Sequence, residues 1–397
     1  MHSLAYWYFL LSTIILRTAA SPTPNNTSFE RRAGGTYVSS LSQCPPLRTR
    51  SSPPSNVHEL RPDDFAYTMA IGDSITAGTF LRGLQNTIFE DITEWRGQSY
   101  AAGMDEGAIT IPNLIKHYNP SVTGGSKGSN LIGPLELCLG PLCIPGSIGW
   151  HSDIDQLNAA RSGAAALNLP HEMNDYLIPE VNRRNVPREK FKYINLQIGS
   201  NELCYSCTQG SLGIGSASAQ NFEDNVIQTL ELIRSSIPNS LVNVIGVFRV
   251  SPMFDLTANE AYCTQRFPSL PHFNLECPCA LLGGDVGKRT RNRMDDLTSQ
   301  YNDRLVKIVK KYQELKYPDF AVIWQPPIVT LDKYPIEALS PVDCHHPSLK
   351  THELFATGIW NRLVGTKEEK AVPVAWTTSP LIRCLEEGDR ILTNTLL

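Results

Sequence analysis

Four short apolar runs, set far apart and separated by amphipathic stretches, constrain the fold of this 397-residue chain more than any other feature. They are Phe65 to Ile71, Tyr193 to Ile198, Val242 to Val250 and Phe320 to Trp324. Each is a nearly continuous apolar block of strand length, the pattern of a strand buried on both faces. Stretches of helical periodicity lie between them, notably Glu223 to Ser235 and Met294 to Leu315. Strands that alternate with helices pair in parallel, because each crossover returns the chain to the same end of the sheet. The expected fold is a three-layer α/β/α arrangement, flavodoxin-like, around a mostly parallel sheet. There is no internal repeat, and residues 63–397 are expected to form one domain whose packed core begins near Phe65. Segments rich in Gly, Pro and Cys at 120–150 and 252–290 read as loop insertions stapled by disulfides. Cys138 and Cys143 suit a small local loop, and Cys263, Cys277 and Cys279 are expected to staple the later insertion.

The start of the chain has another character. The apolar run Leu4 to Leu16, followed by Arg17-Thr18-Ala19-Ala20, reads as a signal peptide over residues 1–20. It is shorter than the roughly 20 residues of a membrane span, although an opening with only His2 as its basic residue leaves an uncleaved anchor as the alternative. Residues 21–62 read as a leader and extended arm. Asn25 and Asn26 stand in glycosylation sequons, Arg31-Arg32 is either a processing site or a charged pair, and ten cysteines is an even number. Together these predict a secreted, disulfide-bonded glycoprotein. A net charge of −4 with 19% charged residues gives no footprint for nucleic acid.

The sharpest chemical signal is Ile71-Gly72-Asp73-Ser74, directly after the first run. A serine at the C-terminal end of a parallel strand stands on the rim where α/β folds build sites, and a helix opening behind it turns free N–H groups toward an oxyanion. The bland alternative is a helix N-cap. A serine hydroxyl needs a base and the base needs an orienting group. Pro341-Val342-Asp343-Cys344-His345-His346-Pro347 supplies both in one loop, with Asp343 and His346 at a spacing that lets the carboxylate reach the imidazole. Alone, that stretch would be an ordinary surface turn.

Gly72-Asp73-Ser74, then Asn158-x-x-x-x-Gly163, then Gly199-Ser200-Asn201-Glu202 after a strand, then Asp343-x-x-His346, resembles the four blocks of the GDSL (SGNH) hydrolases in order. Val57 to Pro62, Arg96-Gly97-Gln98-Ser99-Tyr100, Asn201-Glu202-Leu203-Cys204 and Trp360-Asn361 resemble the phospholipase B branch. The resemblance implies an acyl-enzyme on Ser74, His346 as base, Asp343 orienting it, and an oxyanion hole from the N–H groups of Ser74 and Gly163 and the Asn201 amide. It implies no cofactor and no metal. The implied partners are a phospholipid or other acyl ester and, transiently, a membrane or micelle surface. Alternatives are a carboxylesterase or carbohydrate acetylesterase, or a catalytically silent lipid-binding protein. The pattern departs from the family at Ser200, Glu202 and Met104, and the sequence leaves the oligomeric state open.

Three weaker signals are set aside. Gly124-Gly125-Ser126-Lys127-Gly128 fits a nucleophile elbow by letter but lacks the flanking strand and helix. His171-Glu172-Met173-Asn174-Asp175 lacks the second histidine of a zinc helix. Cys204-Tyr205-Ser206-Cys207 fits a structural disulfide better than half a zinc site. A bridge there would stiffen the loop after Asn201.

Overall fold

A computed structural model describes residues 35–48, 50–132, 138, 143, 146, 149–208, 217–264 and 276–397. The signal peptide, both sequons and Arg31-Arg32 lie outside them. Four strands form one parallel sheet: β1 (Tyr67–Gly72), β2 (Lys192–Gln197), β3 (Ser240–Ile245) and β4 (Phe320–Gln325), in the spatial order β1-β2-β3-β4. Every residue of β2, β3 and β4 is buried, as their largely apolar runs require, and the buried Asn243 amide donates to the Tyr193 hydroxyl. The third run is shorter than expected. Beyond Ile245 the chain leaves the sheet, and the Asn302 side chain takes over both backbone groups of Val247, accepting its N–H and donating to its carbonyl, each at 2.8 Å.

Helices cover both faces. On one side α3 (Ala219–Ser236) packs against α4 (Gly284–Leu315), with Phe222 stacked on Tyr301 and Tyr312 edge-on to Phe320 of β4. On the other side α5 (Leu349–Leu363) sets Phe355 against Tyr100, whose hydroxyl reaches Gln197 of β2. α1 (Ser74–Ala77) and α2 (Ser200–Cys204) are single turns at the C-terminal ends of β1 and β2.

The outer edge of β1 is covered without a regular strand. Residues 123 and 158 make isolated parallel bridges to Tyr67 and Ala70, occupying the place that a flavodoxin-like order gives to the second strand. The arm is part of the packed body: Val57 and Leu60 are fully buried, so the core begins before Phe65. Tyr37–Val38 pairs antiparallel with Ile382–Arg383, and Cys44 is bonded to Cys384. Trp360 and Asn361 hold this tail through hydrogen bonds to the carbonyls of Arg383 and Leu381.

Candidate active site

β1 ends at Gly72, where φ is 147° and a Cβ would meet the Gln197 carbonyl oxygen at 2.3 Å, so only glycine lets the chain turn there. Asp73 caps α1 by accepting the Ile75 N–H at 3.0 Å, which makes Ser74 the first helical residue. The bland and the functional readings of this turn therefore separate: the cap is Asp73, and the Ser74 hydroxyl is left for other work. Its Oγ lies 2.7 Å from His346 Nε2.

His346 Nδ1 is hydrogen-bonded to Asp343 Oδ2, while Asp343 Oδ1 accepts the N–H groups of His345 and His346 at 3.0 and 3.1 Å. The three-residue spacing lets one carboxylate fix both its own loop and the ring above it. Burial opposes charge on both partners, but their mutual attraction prevails: the Asp343 pKa lies below the usual carboxylate range and that of His346 above 6.5. Phe80 stands edge-on to the His346 ring at 5.3 Å. The loop is anchored further by Ser340, whose hydroxyl donates to the Phe80 carbonyl at 2.7 Å, and by the bond between Cys344 and Cys263. His345 turns away: its Nδ1 faces the Met253 sulfur at 3.3 Å, and burial lowers its pKa to about 3.

The other two residues expected as oxyanion donors lie on segments that are tied to each other. Gly163 has φ 76°, and a Cβ there would strike the Cys138 carbonyl oxygen at 2.1 Å. Asn201, in the first turn of α2, donates through Nδ2 to the Ala164 carbonyl at 2.8 Å, tying the second block to the third. An amide carries a second N–H, which has no partner among the described residues.

The supports of this loop are what sequence reasoning missed. Glu202 reaches the Ala166 N–H at 2.6 Å, and burial raises its pKa to about 7. Buried Arg96 bonds Glu94 at 2.7 Å, lies 3.0 Å from Asp155, and donates to the Ala160 carbonyl at 2.8 Å. Glu94 in turn accepts the Ser162 hydroxyl at 2.5 Å. The Arg96 and Glu202 stretches were visible only as family wording, with no role attached.

The disulfides follow the expectation and supply the partners that the sequence left open. Cys138 and Cys143 close a local loop, Cys263 is bonded to Cys344 in the Asp343 loop, and Cys277 and Cys279 pair with Cys204 and Cys207. The last three bridges tie the described ends of the later insertion to α2, to Cys207 just beyond it and to the Asp343 loop. Cys204, Cys277 and His345 are the kind of cluster that binds metal, with donor atoms within 4.8 Å. Their sulfurs, however, are already bonded to each other and offer no thiolate. Ser126 is buried with its hydroxyl donating to the Asp155 carbonyl at 3.0 Å, so the elbow-like Gly124 to Gly128 is a bend beneath the sheet edge. His171 pairs with Asp175 at 2.7 Å on a helical segment.

A family model described as GDSL-like Lipase/Acylhydrolase matches residues 69–359. The chain belongs to that family. Among curated proteins it is similar to "Phospholipase B1, membrane-associated" of Rattus norvegicus, 27% identical over 364 residues, covering 89% of this chain and 23% of that protein. The protein of the same name from Homo sapiens is 26% identical over 333 residues, covering 81% of this chain and 21% of that protein. The chain thus spans under a quarter of the length of these relatives. An extracellular lipase of Streptomyces rimosus, of known structure, shares 13% identity with a TM-score of 0.32, covering 73% of this chain and 96% of that one. None of the described helices is long and apolar enough to cross a membrane.

Proposed function

We propose that this protein is a secreted phospholipase B or lysophospholipase that works through an acyl-Ser74 intermediate. The observation that carries the mechanism is the continuous chain from Ser74 Oγ to His346 Nε2 and from His346 Nδ1 to Asp343. In the first half-reaction, His346 takes the Ser74 proton as Oγ attacks the ester carbonyl. The tetrahedral oxyanion is held by the N–H groups of Ser74 and Gly163 and the Asn201 amide. The bond to the leaving alcohol then breaks, and His346 returns the proton to that oxygen. In the second, His346 takes a proton from water as the hydroxyl attacks the acyl-serine, then returns that proton to Oγ as the bond between Oγ and the acyl carbon breaks, releasing the carboxylic acid and regenerating Ser74. Asp343 keeps the imidazole in the tautomer that accepts at Nε2.

The lipid assignment is supported by the likeness to phospholipase B1, which covers 89% of this chain. Secretion is supported by the five disulfides, a framework suited to an oxidising compartment. The test compares kcat/KM on long-chain lysophosphatidylcholine and on an acetylated xylooligosaccharide. Preference for the lysophospholipid is expected, and a clear preference for the sugar ester would remove the lipid while leaving the triad. Failure of the folded protein to react with a fluorophosphonate probe would leave a silent lipid binder.

A further inference from the structure

Along the outer edge of β1 the backbone follows a parallel ladder. The Ala70 N–H donates to the Leu157 carbonyl at 3.1 Å, the Ala70 carbonyl accepts the Ala159 N–H at 2.8 Å, and the Gly72 carbonyl accepts the Arg161 N–H at 3.0 Å. Regular pairing would next send the Gly72 N–H to the Ala159 carbonyl. That rung is missing. The Ala159 carbonyl is taken by the Trp150 indole N–H at 3.1 Å, and the Gly72 N–H donates instead to Glu172 Oε2 at 2.9 Å. Glu172 is fully buried and 100 residues away in sequence.

We propose that Glu172 is a positioning residue for the nucleophile: its carboxyl closes the last rung of β1 and thereby fixes the turn that presents Ser74. The inference rests on the reading of Ser74 given above. It also accounts for the substituted rung, which lies between two that are kept. The neighbouring Ala160 is likewise held by side chains, its N–H by Asn158 at 3.1 Å and its carbonyl by Arg96, and beyond the Arg161 rung the Ala164 carbonyl accepts the Asn201 amide. With the Ala159 carbonyl committed to Trp150, the side-chain rung leaves no buried N–H unpaired at Gly72. Glu172 is placed for this by a π-helical turn, Glu172–Leu177, the wide turn that recurs at functional positions. One turn further on, Tyr176 stacks on Trp150 with ring centroids 5.0 Å apart, and the Arg161 guanidinium lies 4.3 Å from the centroid of the same indole. Both replacements in the broken rung, Glu172 and Trp150, therefore belong to one packed unit. Burial raises the Glu172 pKa well above the carboxylate range, so a neutral acceptor suffices.

The test uses Glu172→Gln, Glu172→Leu and Glu172→Asp in the full chain, with active sites titrated and turnover measured on a soluble short-chain ester. Glutamine keeps an acceptor of the same reach and should stay within about 3-fold of wild-type kcat. Leucine should lower kcat and the rate of fluorophosphonate labelling together, by about 10- to 100-fold with little change in KM, the signature of a misplaced reacting atom. Aspartate, one methylene short, should fall between them, and it decides the matter if the leucine variant does not fold. Wild-type kcat per titrated site in the leucine or aspartate variant would overturn the proposal, as would a glutamine variant no better than leucine. Activity surviving in Ser74→Ala would instead overturn the nucleophile assignment, whatever Glu172 does.

Discussion

The two halves of this site are built in opposite ways. The base and its partner come from one loop: Asp343 grips the N–H groups of residues two and three positions ahead and then the His346 ring, so a few residues settle their own geometry. The proposed nucleophile and oxyanion loop are held by distant groups: Glu172 under Gly72, Glu94 and Arg96 under Ser162 and Ala160, Glu202 under Ala166. Chemistry that one loop can support is written locally. Chemistry that must hold a backbone in place against developing charge draws on buried polar groups from the whole fold.

The strongest way to break the comparison is at its hinge, where the halves touch. Ser74→Ala should lower kcat by on the order of 10⁴-fold or more and abolish fluorophosphonate labelling, with Tm little changed. Ser126→Ala should leave both intact, and labelled Ser126 would mean that the wrong serine has been assigned. On the distributed side, Asn201→Ala removes one oxyanion donor and should cost about 10²- to 10³-fold in kcat with KM nearly constant. A loss confined to KM would make Asn201 a substrate-binding residue.

The local half is sharpened by pH. His346 must be neutral to accept the serine proton, and Asp343 holds its pKa above the ordinary 6.5. kcat/KM should therefore fall about tenfold per unit on acidification below a midpoint above pH 6.5. Stability runs the other way: a pKa raised on folding contributes fully below 6.5, and the contribution fades as pH rises through the folded value. The Tm advantage of the wild type over His346→Gln should accordingly shrink with rising pH, while activity grows. A midpoint at or below 6.5 would deny Asp343 its electrostatic part. The smallest effect is expected at the neighbouring ring: His345→Gln should change kcat by only about 2- to 5-fold, because the His345 Nδ1 faces Met253 and its ring meets His346 only edge-on, at 4.8 Å between centroids. Loss comparable to His346→Ala would shift the catalytic frame by one residue.

Legibility in the sequence followed the same division. The strand runs at 65–71, 193–198 and 320–324 were readable because burial on both faces demands unbroken apolar blocks. The run from Val242 overshot because Asn302 imitates a strand neighbour for Val247, and nothing local announces that. Ser74, Asp343 and His346 could be named from their order along the chain. Glu172 was passed over as part of a failed metal motif, since a carboxyl that serves as a backbone acceptor has no spacing rule. The cysteine partners were equally hidden: Cys263 and Cys344 are 81 residues apart, and only tertiary structure brings them together.

The bond between Cys44 and Cys384 joins positions 340 residues apart and turns nearly the whole described chain into a covalent ring. Every element of the site lies within that ring. A protease that cuts once anywhere between the two cysteines would linearise the molecule without dividing it. The clipped protein would keep its mass on a non-reducing gel and separate only when the disulfides are reduced.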